Sequence, residues 1–151
     1  MATITSRVLQ AADEETAAAL AALLPQVSSR ASPLSRDRVA TVLSSPATSI
    51  VVACLDDRIV GMTLLCVCET LASRFGRTEE VAVDEAARGH HVGVELMVTV
   101  LETAETLGLD FVELTSRASR VAANGLYLSL GFVARETNVY RHRLDALPVR
   151  R

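Results

Sequence analysis

Between Glu79 and Phe132 the sequence sets carboxylate, arginine, glycine and tyrosine residues in an order that can hold a phosphate and move a proton. The heptapeptide Arg88-Gly89-His90-His91-Val92-Gly93-Val94 stands where a strand would turn into a helix. There the first backbone N–H groups of the helix and the positive end of its dipole face outward, which attracts phosphate. Gly89 and Gly93 allow close backbone approach, and Arg88 adds a charge-assisted contact. Upstream lie the adjacent carboxylates Glu79 and Glu80. About thirty residues downstream, Asn124, Tyr127 and Gly131-Phe132 form the frame N-x-x-Y-x-x-x-G-F, with Asn124 and Tyr127 on one helix face.

Other chemistries are excluded by what the chain lacks. All fifteen cationic residues are arginine, so there is neither a phosphate-loop lysine nor a lysine for a Schiff base. His90 and His91 are adjacent and point in different directions, and no H-E-x-x-H spacing for zinc is present, so no metal site is expected. The nucleophile elbow G-x-S-x-G and the dinucleotide fingerprint G-x-G-x-x-G are both missing.

Positioning these residues requires alternating strands and helices. Thr3–Leu9 reads as a strand and Asp13–Leu24 as a helix, with acidic residues in its first turn and Pro25 after its end. Gln26–Ser35 reads as a loop and Ser35–Leu43 as a second helix capped by serine. Ile50–Leu55 and Ile59–Val67 form a hairpin through Asp56-Asp57-Arg58, and Ala72–Thr78 reads as a second hairpin loop. In the strand Glu79–Asp84, alternation puts Glu79, Val81 and Val83 on one face, with Glu80 and Ala82 on the other. Val92, Leu96, Val100, Ala104 and Leu107 trace the apolar stripe of a long helix that ends at Gly108. A strand at Phe111–Leu114 and a helix at Ser119–Leu130 follow, and Val133–Ala134 with Asn138–Leu144 can finish the sheet as a pair. The expected fold is α/β (α+β), with a sheet flanked by helices on both faces.

A chain of 151 residues with half its residues apolar, 3% aromatic and a net charge of -3 fits one globular domain, residues 1–151. The acidic balance argues against nucleic acid as a partner. The apolar stretch Ala17–Leu24 is far short of the ~20 residues a membrane span needs. Cys54, Cys66 and Cys68 sit in apolar runs and read as buried free thiols in a reducing compartment, which implies a cytoplasmic protein.

Arg88 to Val94 resembles the R-x-x-G-x-G/A signature of the GNAT superfamily of acyl-CoA-dependent N-acyltransferases. Glu79-Glu80-Val81-Ala82-Val83-Asp84 resembles the family's acidic-then-aliphatic fourth strand, and Asn124 to Phe132 resembles its late helix with a glycine-phenylalanine corner. The resemblance is closest over Glu79–Tyr140 and departs from the family at His91, which replaces the middle glycine. It implies a mixed, mostly antiparallel sheet and transfer of an acetyl group from acetyl-CoA directly to an amine, with coenzyme A as product. The backbone of Val81, Ala82 and Val83 would pair with the pantetheine arm, and the amides of His90, His91, Val92, Gly93 and Val94 would hold the pyrophosphate. Asn124 would contact the cofactor arm. Amine attack needs a base, because an alkyl ammonium with a pKa near ~10.4 is protonated at neutral pH. Glu79 or Glu80 would serve. A backbone N–H of Val81–Val83 would stabilise the oxyanion, and Tyr127 would protonate the departing thiolate.

The acceptor implied is a small-molecule or peptide amine, bound between Gln26–Ser35 and Ala72–Thr78 by a monomer or homodimer without nucleic acid or membrane. Arg30, Arg74 and Arg77 there would favour an acceptor carrying an acidic group. His91 motivates an alternative: a degenerate acyl-CoA-binding or regulatory module of the same fold, without turnover.

Overall fold

The computed structural model describes residues 2–29 and 33–145. Its elements are strands β1 (Ile4–Val8), β2 (Thr48–Leu55), β3 (Arg58–Glu69), β4 (Arg74–Val83) and β5 (Val112–Glu113). The helices are α1 (Glu14–Leu23), α2 (Arg36–Ser44), α3 (Val92–Thr106) and α4 (Val121–Ser129). The strands lie in sheet order β1-β2-β3-β4-β5. All pairings are antiparallel except β4 with β5, which is parallel.

Local signals account for most element ends. The Asp13 carboxylate accepts the Thr16 N–H at 2.8 Å to cap α1, and the Ser35 hydroxyl accepts the Arg38 N–H at 3.1 Å to cap α2. That capping bond holds the Asp13 carboxyl below its ordinary pKa. Asp56 and Asp57 both adopt positive φ, 48° and 67°, so they form a two-residue turn and Arg58 already belongs to β3.

The sheet is a partition between two cores. One side buries Val51, Leu65, Leu96, Met97 and Val100 under α3 and α4, and the other buries Leu20, Val39, Val52 and Met62 under α1 and α2. Helices therefore cover both faces, as expected. α3 packs closest at Gly61, where an added Cβ would stand 2.8 Å from Val92 Cγ1. Its buried stripe is Val92, Leu96, Met97, Val100 and Ala104, while Leu107 is 38% exposed at the helix end and falls outside it.

Three expectations are corrected. Ala72–Thr78 is not a loop: β4 begins at Arg74, and only the short turn before it connects to β3. The glycine that made the run read as a turn is a packing requirement, since a Cβ at Gly76 would meet Leu65 Cδ1 at 2.7 Å. The face assignment of Glu79 is also reversed. Met62 pairs with Ala82 and Leu64 with Glu79, so Glu80 and Val81 together oppose Thr63 in a β-bulge. Glu79 consequently shares the α1–α2 face with Ala82, and Val81 and Val83 pack into the opposite core. Finally, Val133–Ala134 and Asn138–Leu144 form no strands; residues 133–145 are exposed, with Val133 at 83% and Tyr140 at 88%. By strand alternation Val139 shares its face with Arg141 and Arg143, and Tyr140 shares its face with Asn138 and His142, which leaves that segment no continuous apolar face to lay on the sheet.

Candidate active site

β4 and β5 pair only at Gly76–Val112 and Arg77–Glu113 and then separate. The bulge bends β4 just beyond the last pair. Glu80 takes the left-handed backbone conformation, φ 56°, and the buried Thr63 hydroxyl donates to the Glu79 carbonyl at 3.0 Å, pinning the bend. The result is a cleft of about 160 Å³. Thr78 to Val81 form its β4 wall, Leu114 and Thr115 the opposite wall, and Tyr127 reaches it from α4. A larger groove of about 400 Å³ between α1 and the start of α2 includes Leu34 and Ser35 of the Gln26–Ser35 segment but none of the expected catalytic or cofactor-binding residues.

The two glutamates differ in their surroundings. Arg77 holds the Glu79 carboxylate at 2.7 Å and reaches Glu113 at 3.6 Å. Glu80 has no such partner among the described residues. Its carboxyl pKa is raised, first by desolvation and next by the charge of Glu79, with Arg38 opposing. Tyr127 is 6% exposed, packs edge-on against Phe132 at 5.9 Å between ring centroids, and has its phenol pKa raised by burial against a lesser opposing effect of Arg120. At neutral pH it is a protonated donor.

At the far end of β4 the exposed turn Arg88–His91 leads into α3. Gly89 has φ 84° and His91 φ 60°, so His91 occupies the left-handed position a glycine would take without strain. His91 makes no side-chain cap bond, which leaves the first-turn amides of Val92, Gly93 and Val94 open. Arg88 has no carboxylate partner among the described residues. The anion-binding elements expected of the turn, open amides and a free guanidinium, are thus together, and Val81 to Val83 run between them and the cleft. Asn124 is placed differently: its amide donates to the Arg117 carbonyl at 3.0 Å, tying down the loop before α4.

Leu114, Thr115 and Arg120 line the cleft without having been singled out in the sequence, and Val27 and Thr78 enter it from Gln26–Ser35 and Ala72–Thr78, the segments expected to flank the acceptor. Leu114, Thr115 and Arg120 come together with β4 only through the divergence of β4 and β5, and Thr78 takes the face of Leu65 only because the bulge shifts the register of β4. The acceptor wall is also revised. Arg74 is paired with Glu69 at 3.0 Å and Arg77 with Glu79 and Glu113, so neither is free for an acidic acceptor, and Arg30 lies outside the described residues. Cys54 is buried, and Cys66 and Cys68 are half-buried; all three are free thiols.

The sequence profile of the Acetyltransferase (GNAT) family matches residues 10–132. The chain belongs to the GNAT acetyltransferase family. Solved structures show the same fold. A transcriptional regulator from Bacillus halodurans C-125 is 25% identical with a TM-score of 0.80, covering 93% of this chain and 100% of its own. A Trypanosoma brucei acetyltransferase is 26% identical with a TM-score of 0.76 over the same shares. An aminoglycoside N-acetyltransferase in complex with CoA, 13% identical, has a TM-score of 0.77 and covers 95% of this chain and 97% of its own. Comparison with curated proteins finds no match. Among the described residues no helix is long and apolar enough to cross a membrane, and no group of His, Cys, Asp and Glu could hold a metal ion.

Proposed function

We propose that this GNAT protein transfers an acetyl group from acetyl-CoA directly to an amine in the β4–β5 cleft. The observation that carries the reading is the cleft itself: the β4 bulge and the divergence from β5 bring Glu80 and Tyr127 to one opening. The same strand leads to the open N-terminus of α3. Acetyl-CoA supplies the activated acyl group. Arg88 and the amides of Val92 to Val94 fit its phosphates, and the β4 edge from Val81 to Val83, unpaired on the β5 side, fits the amides of its arm.

Glu80 is the base of this scheme. It lines the cleft, lacks the ion pair that neutralises Glu79, and has its pKa moved up toward the working pH. It takes the proton from the acceptor ammonium, directly or through water, so that the neutral amine attacks the thioester carbon. A β4 backbone N–H faces the charge that develops on the thioester oxygen. Tyr127 gives its hydroxyl proton to the sulfur as the C–S bond breaks, coenzyme A leaves as the thiol, and the surplus proton on the acylated nitrogen restores the phenol through water. No cysteine carries the acyl group: Cys54 is buried, Cys66 and Cys68 lie outside the cleft lining, and burial raises the Cys54 and Cys66 thiols. With Arg74 and Arg77 engaged and Glu80 without an ion pair at the opening, the acceptor is a cationic small molecule or peptide amine.

Incubation with labelled acetyl-CoA and a broad panel of amines tests the reading, with transfer to at least one acceptor expected. A second reading, an acyl-CoA-binding module without turnover, is favoured by the strained His91 at the phosphate turn. Calorimetric binding of acetyl-CoA without transfer to any amine would decide for it.

A further inference from the structure

Thr78 is 3% exposed, yet its hydroxyl has no hydrogen-bond partner among the described residues. The nearby acceptor created by the bulge, the Glu79 carbonyl, is taken by Thr63. A buried hydroxyl left unpaired is a cost that valine, its isostere, would not carry. Thr78 also lines the β4–β5 cleft, one residue beyond the last paired position, Arg77–Glu113, and so stands at the closed apex of the divergence. The open end of the divergence points to Val83 and the turn before α3. A donor with its phosphates at α3 and its arm along β4 therefore presents its acyl end toward the apex. One staggered rotation about the Cα–Cβ bond redirects the hydroxyl.

We propose that the Thr78 hydroxyl is a direct donor to the oxygen of the acyl thioester, acting beside the β4 backbone N–H. This rests on the acetyltransferase reading above and adds to it a substrate-contacting side chain. The hydroxyl is unsatisfied in the free protein and is paired when the thioester enters.

The test uses Thr78→Val and Thr78→Ser in the full chain, with thermal unfolding, calorimetry and acetyl transfer as readouts. Without ligand, Thr78→Val should unfold roughly 2–4 °C higher than wild type, since it removes an unpaired buried hydroxyl. Its kcat/KM should fall about tenfold or more, and Thr78→Ser should recover most of the loss. Free CoA, which has no acyl oxygen, should bind wild type and Thr78→Val within about twofold of each other. A lower unfolding temperature for Thr78→Val would show a structural partner for the hydroxyl and overturn the proposal. Wild-type-like turnover of Thr78→Val would overturn it too, as would an equal loss of free-CoA affinity. Failure of the underlying reading is separately visible, because wild-type protein would then transfer acetyl to no amine, whether or not it binds acetyl-CoA, and both inferences would fall.

Discussion

His91→Gly should make the protein more stable while leaving the phosphate turn intact. His91 sits at φ 60°, ψ 20° immediately before α3, with no side-chain cap bond to offset the strain. The left-handed conformation costs an L-residue with a side chain roughly 1–2 kcal/mol. Glycine removes that cost but brings back about 0.5–1 kcal/mol through the greater freedom of the unfolded chain. The net gain is about 0.5–1 kcal/mol, which for a chain of this length corresponds to a rise of about 1–4 °C in Tm. Thermal unfolding without ligand reads this directly. Because the amides of Val92 to Val94 keep their orientation, CoA affinity should be equal or higher. An unchanged or lower Tm would refute the strain argument, and a tenfold loss of CoA affinity would show that the imidazole itself contacts the phosphates.

Glu80→Gln should lower acetyl transfer by about a hundredfold or more, and Glu79→Gln by less, as measured by steady-state kinetics. Wild-type kcat/KM should rise with pH along a limb that lies above the ordinary carboxylate range, because the base must lose its proton and its pKa is raised. In the variant that limb should vanish. The folded state holds the Glu80 proton more tightly than the unfolded state, so ionised Glu80 opposes folding above its folded pKa. Glu80→Gln should therefore raise Tm at neutral pH and lose that advantage below the carboxylate pKa of the unfolded chain. Tyr127→Phe should retain its packing on Phe132 and its CoA affinity while kcat falls about a hundredfold. Gly61→Ala should cost about 1–3 kcal/mol in urea unfolding, because its Cβ would meet Val92 Cγ1 at 2.8 Å and Leu96 Cδ1 at 3.0 Å.

Where local chemistry determines an element, it could be read from the sequence. Asp13 and Ser35 announce their helices, the aspartate pair announces the β2–β3 turn, and the stripe from Val92 to Ala104 announces α3. Misread features depend on distant partners. Gly76 looks like a turn residue until Leu65, Leu109 and Val112 are seen to fill the space beside it. The bulge that moves Glu79 to the other face arises from the pairing of β4 with β3, and simple alternation carries no sign of one extra residue. In the site, the turn, the glutamates and Tyr127 were visible as a motif. The distinction between the glutamates was not, because it rests on the bulge, which keeps Glu79 on the face of Arg77 two residues back along β4 and leaves Glu80 without an ion pair among the described residues. Thr78 was hidden by the misreading of its strand as a loop.

The most direct measurement is calorimetric titration of acetyl-CoA into the protein, with acetyl transfer to an amine panel followed on the same preparation. Saturable one-to-one binding followed by transfer is the predicted result. Absence of binding, with no thermal shift at any acetyl-CoA concentration, would contradict the assignment of the β4–β5 cleft.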